Sequence, residues 1–149
     1  MMKKILKFLP IFLVGFVAAV AFTACDDDDD DPITATELPA NAKAFLNTYF
    51  PGVDIVTATK DKDEYDVALG NGYSVEFDKT GEWKDVDAPV GETVPSGFYP
   101  AAIDTYLTEH NPGDGINEIS KDKSGYDVDL VSGIDVVFNA DGVFVRYDK

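Results

Sequence analysis

The pattern at Pro51 to Asp87 returns without a gap sixty-one residues later at Pro112 to Asp148, which restricts the chain to folds that use one unit twice. Pro51-Gly52 recurs as Pro112-Gly113, Lys60-Asp61-Lys62 as Lys121-Asp122-Lys123, and Tyr65-Asp66-Val67 as Tyr126-Asp127-Val128. Val75, Phe77 and Gly81 recur as Val136, Phe138 and Gly142, and 15 of 37 aligned positions are identical. One unit of about sixty residues buries only about 60% of its unfolded surface and is marginal alone, so the copies are expected to share one core or sheet.

Each unit opens with a short helix, because apolar residues recur at helical spacing: Leu38, Ala42, Phe45, Leu46 and Tyr49, then Tyr99, Ile103, Tyr106 and Leu107. Pro39 and Pro100 suit a first helical turn, and Pro51-Gly52 and Pro112-Gly113 stop the helix. Four strands follow in each unit, at about 54–60, 64–70, 73–78 and 82–87, then 115–121, 125–131, 134–139 and 143–148. Asn71-Gly72 and Ser132-Gly133 predict tight hairpins, and Asp78 to Gly81 and Asn139 to Gly142 predict type I turns. The fold class is therefore α+β, two tandem units of a helix plus a four-stranded antiparallel meander. Alternation puts Tyr65, Val67, Leu69, Tyr73, Val75 and Phe77 inward, with Tyr126, Val128, Leu130, Ile134, Val136 and Phe138 in the second copy. Ile55 and Ala58, aligned with Ile116 and Ile119, break strict alternation and predict a bulge. The units span 38–90 and 98–149, joined by a connector at 91–97.

Residues 1–24 read as a lipoprotein signal peptide. Lys3, Lys4 and Lys7 form a basic region, and the apolar run from Phe8 to Phe22 is shorter than the roughly twenty residues a membrane span needs. Phe22-Thr23-Ala24-Cys25 resembles a lipobox, with Phe where Leu is usual, so Cys25 is the expected lipidation site. Cleavage after Ala19-Val20-Ala21 is the alternative, and a membrane anchor is a third reading. Cys25 is the only cysteine, so no internal disulfide is possible. Beyond the leader, 28 carboxylates face nine cations, a net charge of −19, which repels nucleic acid and favours a basic partner. Residues 25–37, with the run Asp26 to Asp31, read as an extended acidic tether. Such a run after a lipidated cysteine also resembles the surface-export signal of Bacteroidetes lipoproteins.

A helix ending in Tyr49-Phe50-Pro51-Gly52, then Lys-Asp-Lys, Tyr-Asp-Val, Asn-Gly and Glu76-Phe77-Asp78-x-x-Gly81-Glu82-Trp83, resembles the PepSY-like lipoproteins of Bacteroidetes over residues 38–149. The second copy departs from the pattern at Asn111 and at Val143-Phe144. That family is similar in fold to the beta-lactamase inhibitor protein, whose tandem units present a concave sheet to the enzyme it inhibits. The resemblance implies a non-enzymatic lipoprotein of the cell envelope, at the outer membrane and facing the periplasm or the surface. It would bind or inhibit an extracytoplasmic protein such as a peptidase or other hydrolase. A structural or surface lipoprotein capturing peptides or glycans is the alternative, and a hydrolase is a third reading. The resemblance supplies no catalytic residue and no cofactor.

The remaining motifs are weak. His110, the single histidine, stands at a helix end and reads as capping or packing. Ser120-Lys121-Asp122-Lys123 matches a Ser-x-x-Lys pattern without its companion motifs. Both candidate calcium loops, at Asp61 and at Val137, break the template, so no metal site is expected. The scattered carboxylates read as solvated faces or, less simply, as an acid/base pair in a cleft. One contrast separates the copies: Gly70, Glu76, Glu82, Lys84 and Val86 align with Val131, Val137, Val143, Val145 and Tyr147. An outward apolar patch of Val137, Val143, Val145 and Tyr147, rimmed by Asp127, Asp129 and Asp135, is therefore a candidate partner surface. The same patch would equally suit packing against the other unit or against a second copy of the chain.

Overall fold

The computed structural model describes residues 30–148. The leader, Cys25 and Asp26 to Asp29 lie outside the described residues, and with them the lipidation expectation. Along the chain the elements are β1 (Asp31–Pro32), a 3-10 turn at Ala35–Glu37, α1 (Ala40–Tyr49), β2 (Ile55–Asp61), β3 (Glu64–Leu69), β4 (Ser74–Phe77) and β5 (Trp83–Asp87). They continue with α2 (Ala101–His110), β6 (Ile116–Asp122), β7 (Gly125–Leu130), β8 (Asp135–Asn139) and β9 (Phe144–Asp148). All nine strands form one antiparallel sheet in sequence order. The two meanders meet where β5 pairs β6, through Asp85↔Ser120, Val86↔Ile119 and Asp87↔Glu118.

Both helices cover the same side of this sheet. Pro39 and Pro100 stand immediately before the first helical residue, as expected of residues that lack an amide donor. Phe45 meets Phe77 edge-on at 5.6 Å, and the sixty-one-residue equivalents Tyr106 and Phe138 repeat the same 5.6 Å contact. Phe77 and Phe138 are fully buried. The inward row Ala58, Val67, Val75, Val86, Ile119, Val128 and Val136 runs across seven strands and is buried throughout. Phe98, just past the expected connector, wedges between Phe45, Tyr49 and Trp83 at 4.9–5.2 Å.

The turns obey their side-chain chemistry. Asp78 Oδ1 accepts the amides of Thr80 and Glu82, and Asn139 Oδ1 accepts those of Asp141 and Val143. Gly81 and Gly142 close these turns at φ 90° and 82°, tight against the helix starts: a Cβ there would meet Ala42 N at 2.8 Å and Pro100 Cβ at 2.7 Å. The Asn71-Gly72 and Ser132-Gly133 hairpins are longer than expected. Leu69 N–H donates to Tyr73 C=O and Leu130 N–H to Ile134 C=O, each enclosing three residues with glycine at positive φ. Ile134 consequently sits in the hairpin rather than in β8, and it is exposed instead of inward.

Two features correct the expected layout. The acidic tether ends earlier than residue 37, because Asp31 and Pro32 pair with Lys60 and Thr59, and Ile33 N–H donates to Ala58 C=O. The edge of β2 needs such partners, and Ile33 packs against the core as it supplies them. Second, the bulges expected in β2 and β6 are present, between Ile55 and Thr57 and between Ile116 and Glu118, but another pair was not expected. Lys84 and Val145 are each an extra residue, since Phe77↔Trp83 is followed by Glu76↔Asp85, and Phe138↔Phe144 by Val137↔Arg146. One inserted residue exchanges the faces of everything after it. Val86 and Tyr147 therefore point toward the helices, not outward.

Candidate functional site

The open side of the sheet carries two rows of directly paired residues. The first runs Thr59, Asp66, Glu76, Asp85, Ser120, Asp127, Val137 and Arg146. The second runs Thr57, Ala68, Ser74, Asp87, Glu118, Asp129, Asp135 and Asp148. Cross-strand partners share a face, so nine carboxylates stand on one surface and Arg146 is the one cation in either row. Lys84, in its bulge, forms an ion pair with Glu64.

Over β2 to β6 this face is hollowed into a cavity of about 380 Å³, with Asp66, Glu76, Asp85, Asp87 and Glu118 in its lining. Burial in the hollow, followed by the Asp66 and Glu64 charges, pushes the Glu76 carboxyl up to about 7. Burial also raises Asp66, opposed in part by its hydrogen bond with Glu76. Two carboxyl groups in register on adjacent strands cannot both ionise cheaply, so they hold a proton between them near neutrality.

The residues expected to form one apolar patch are divided. Val137 lies in the first row and Asp129 in the second, both on the acidic face. Val143 precedes β9 and Val145 occupies its bulge, both exposed. Tyr147 is opposite Val136 on the helix side, where its hydroxyl is 3.3 Å from the Tyr106 hydroxyl and donates to Asn111 Oδ1 at 3.1 Å. Alternation along single strands places Asp66 and Glu76 outward; the rows themselves depend on register, which the sequence leaves open between β5 and β6.

The weaker motifs separate as well. Ser120 lies on the acidic face, whereas Lys121 points to the other side with its Nζ 4.5 Å from the Trp83 ring centre, and Lys123 is in the following turn. His110 stacks on Tyr106 at 4.0 Å, with Nδ1 3.0 Å from the Tyr106 carbonyl. Among the described residues no three His, Cys, Asp or Glu side chains are grouped to hold a metal ion. Among them, too, no helix is long and apolar enough to cross a membrane.

Comparison with known proteins places these features in context. The family model described as beta-lactamase-inhibitor-like, PepSY-like matches residues 63–146. A periplasmic protein of Bacteroides thetaiotaomicron, described as calcium-regulated, is 32% identical; the match covers 80% of this chain and 97% of that one, with a TM-score of 0.76. A periplasmic protein of the DUF2874 family from Bacteroides vulgatus is 33% identical over 83% of this chain and 100% of its own, with a TM-score of 0.77. Another Bacteroides vulgatus periplasmic protein is 28% identical over 81% and 100%, also at 0.77. No curated protein matches the sequence.

Proposed function

The chain belongs to the PepSY-like, beta-lactamase-inhibitor-like family, and from that membership we propose that it is a non-catalytic envelope protein that binds a basic protein surface on its acidic open face. The observation that carries this reading is the pair of carboxylate rows, nine acids against Arg146, crossing from the first repeat into the second. A surface of one charge steers an opposite one and raises its association rate, more so at low ionic strength. The hollow over β2 to β6 gives the partner a concavity to enter, in keeping with a family resemblance that implies the sheet as the contact surface.

A hydrolase reading has less support. Asp66 and Glu76 bond to each other, whereas a glycosidase pair must stand roughly 5 Å or more apart to admit substrate or water. His110 is stacked at the end of α2, on the other side of the sheet. The description of the relatives as periplasmic supports an address in the cell envelope, and the sequence of residues 3–25 adds acylation of Cys25.

Immobilised wild-type chain and the variant Asp87→Asn/Glu118→Gln/Asp129→Asn/Asp135→Asn, incubated with envelope extract, test the reading. The wild type should retain a stoichiometric protein that elutes as salt rises, and the variant should lose it. If the protein is a hydrolase, its activity in the complex distinguishes inhibition from docking. Equal retention by both chains, or capture of polysaccharide in place of protein, overturns the reading.

A further inference from the structure

The two ends of the sheet are finished differently. At one end β1 covers β2: Pro32 pairs Thr59, and Ile33 N–H meets Ala58 C=O. By the sixty-one-residue offset, Thr59 and Ala58 correspond to Ser120 and Ile119, which β5 covers with Asp85 and Val86. β1 is thus a short substitute for a β5 strand. At the other end stands β9, the sequence equivalent of β5, with no strand on its outer side among the described residues. The inward row that is buried from β2 to β8 emerges here at Tyr147, 42% exposed, with exposed Val143 and Val145 nearby.

The internal junction shows how such a strand pairs. After its bulge at Lys84, β5 uses three residues, Asp85, Val86 and Asp87, to join β6. After its bulge at Val145, β9 has the equivalent three, Arg146, Tyr147 and Asp148. Ala88 N–H donates to Asn117 C=O across the junction, so Val86, two residues earlier, turns its backbone groups to the same edge. By equivalence Tyr147 offers its N–H and C=O to the free edge of β9.

Arg146-Tyr147-Asp148 is complementary to itself when run antiparallel. With Tyr147 opposite Tyr147, each Arg146 faces Asp148 of the second copy, and the central tyrosines exchange two backbone hydrogen bonds. In the single chain Arg146 reaches Asp148 of its own strand, at 3.4–3.5 Å. We propose that β9 is a self-association edge, where two copies join antiparallel about Tyr147 into one continuous sheet. The contact is the same patch on both chains, so it closes at two, and β1 already covers the opposite edge. Both acidic faces then lie on one side of the joined sheet, giving a partner twice the surface.

The full-length chain exported in cells provides the test. Tyr147→Cys places two thiols across the twofold axis at an expected Cα separation of about 5.5 Å, inside the disulfide range. It should form an oxidised dimer well above the background from Cys25 alone, while Val145→Cys should stay at that background. In the Tyr147→Cys chain, adding Arg146→Asp should abolish the cross-link, and Arg146→Asp/Asp148→Arg should restore it, with melting of each variant confirming the fold. Sedimentation of detergent-solubilised wild type should give a dimer. A Tyr147→Cys signal no greater than that of Val145→Cys, no rescue by the double charge exchange, or a monomer or an open series of larger species overturns the proposal.

Discussion

Replacing Glu76 by glutamine should make the protein more stable above neutral pH and leave it unchanged in acid. Burial and the neighbouring Asp66 and Glu64 charges raise the Glu76 carboxyl from 4.5 to about 7. The folded state therefore holds a proton that the unfolded chain releases between these values, and stability falls as pH rises through that window. Moving a carboxyl this far is worth at most about 3 kcal/mol, since a tenfold change in proton affinity is worth about 1.36 kcal/mol. Asp66 keeps an exposed flank and the hollow is open to water, so screening reduces this to about 1–2 kcal/mol. Glutamine keeps the shape and one hydrogen bond to Asp66 but never ionises. Thermal melts at pH 4.5 and pH 8 should give coincident curves in acid, and at pH 8 a midpoint about 4–8 °C higher for Glu76→Gln. A variant less stable than wild type at pH 8, or a difference that does not change with pH, would refute the shared-proton account of the Asp66–Glu76 pair.

Phe77→Ala and Phe138→Ala should each lower stability by about 3–5 kcal/mol in denaturant titrations, since both rings are fully buried against a helical aromatic. Gly81→Ala and Gly142→Ala should each cost about 1–3 kcal/mol by the same measurement, because positive φ and a helix start within 2.8 Å oppose a Cβ. Mass spectrometry of the envelope form should find Cys25 acylated and N-terminal; an unmodified Cys25 within a chain beginning at Phe22 would contradict this.

The helices, the eight strands after α1 and the bulges in β2 and β6 are legible because each has a local cause: apolar spacing, turn residues, or a broken alternation. The bulges at Lys84 and Val145 leave no such mark. Lys84 lies among Glu82, Asp85 and Asp87, where polar residues continue on either side of the insertion, and Val145 lies in an apolar run that reads the same with or without it. Alternation carried through these sites sends Val86 outward, whereas Val86 is buried opposite Ile119. Tyr147 follows Val86 to the helix side, which is why the expected apolar patch divides between a face and an edge. β1 was equally hidden, since an acidic run followed by Pro32 carries no strand signal and gains its place only from the open edge of β2.

The acidic surface shows why the repeat alone does not reveal the site. Inward positions are held alike by packing, so Val67 and Val128, Val75 and Val136, and Phe77 and Phe138 match across the duplication. Outward positions lack that constraint, and although Asp66 matches Asp127 and Asp87 matches Asp148, others differ: Glu76 against Val137, Asp85 against Arg146, Thr57 against Glu118. The first copy concentrates its charge on β3 to β5, and the second on β6 to β8, immediately beyond the junction. Neither unit carries the surface by itself. A partner reading both rows must span β5 and β6, whose three residue pairs fix the spacing of Asp85 and Asp87 against Ser120 and Glu118. The duplication thus supplies a second unit for the core, and the seam between the units becomes the centre of the charged face.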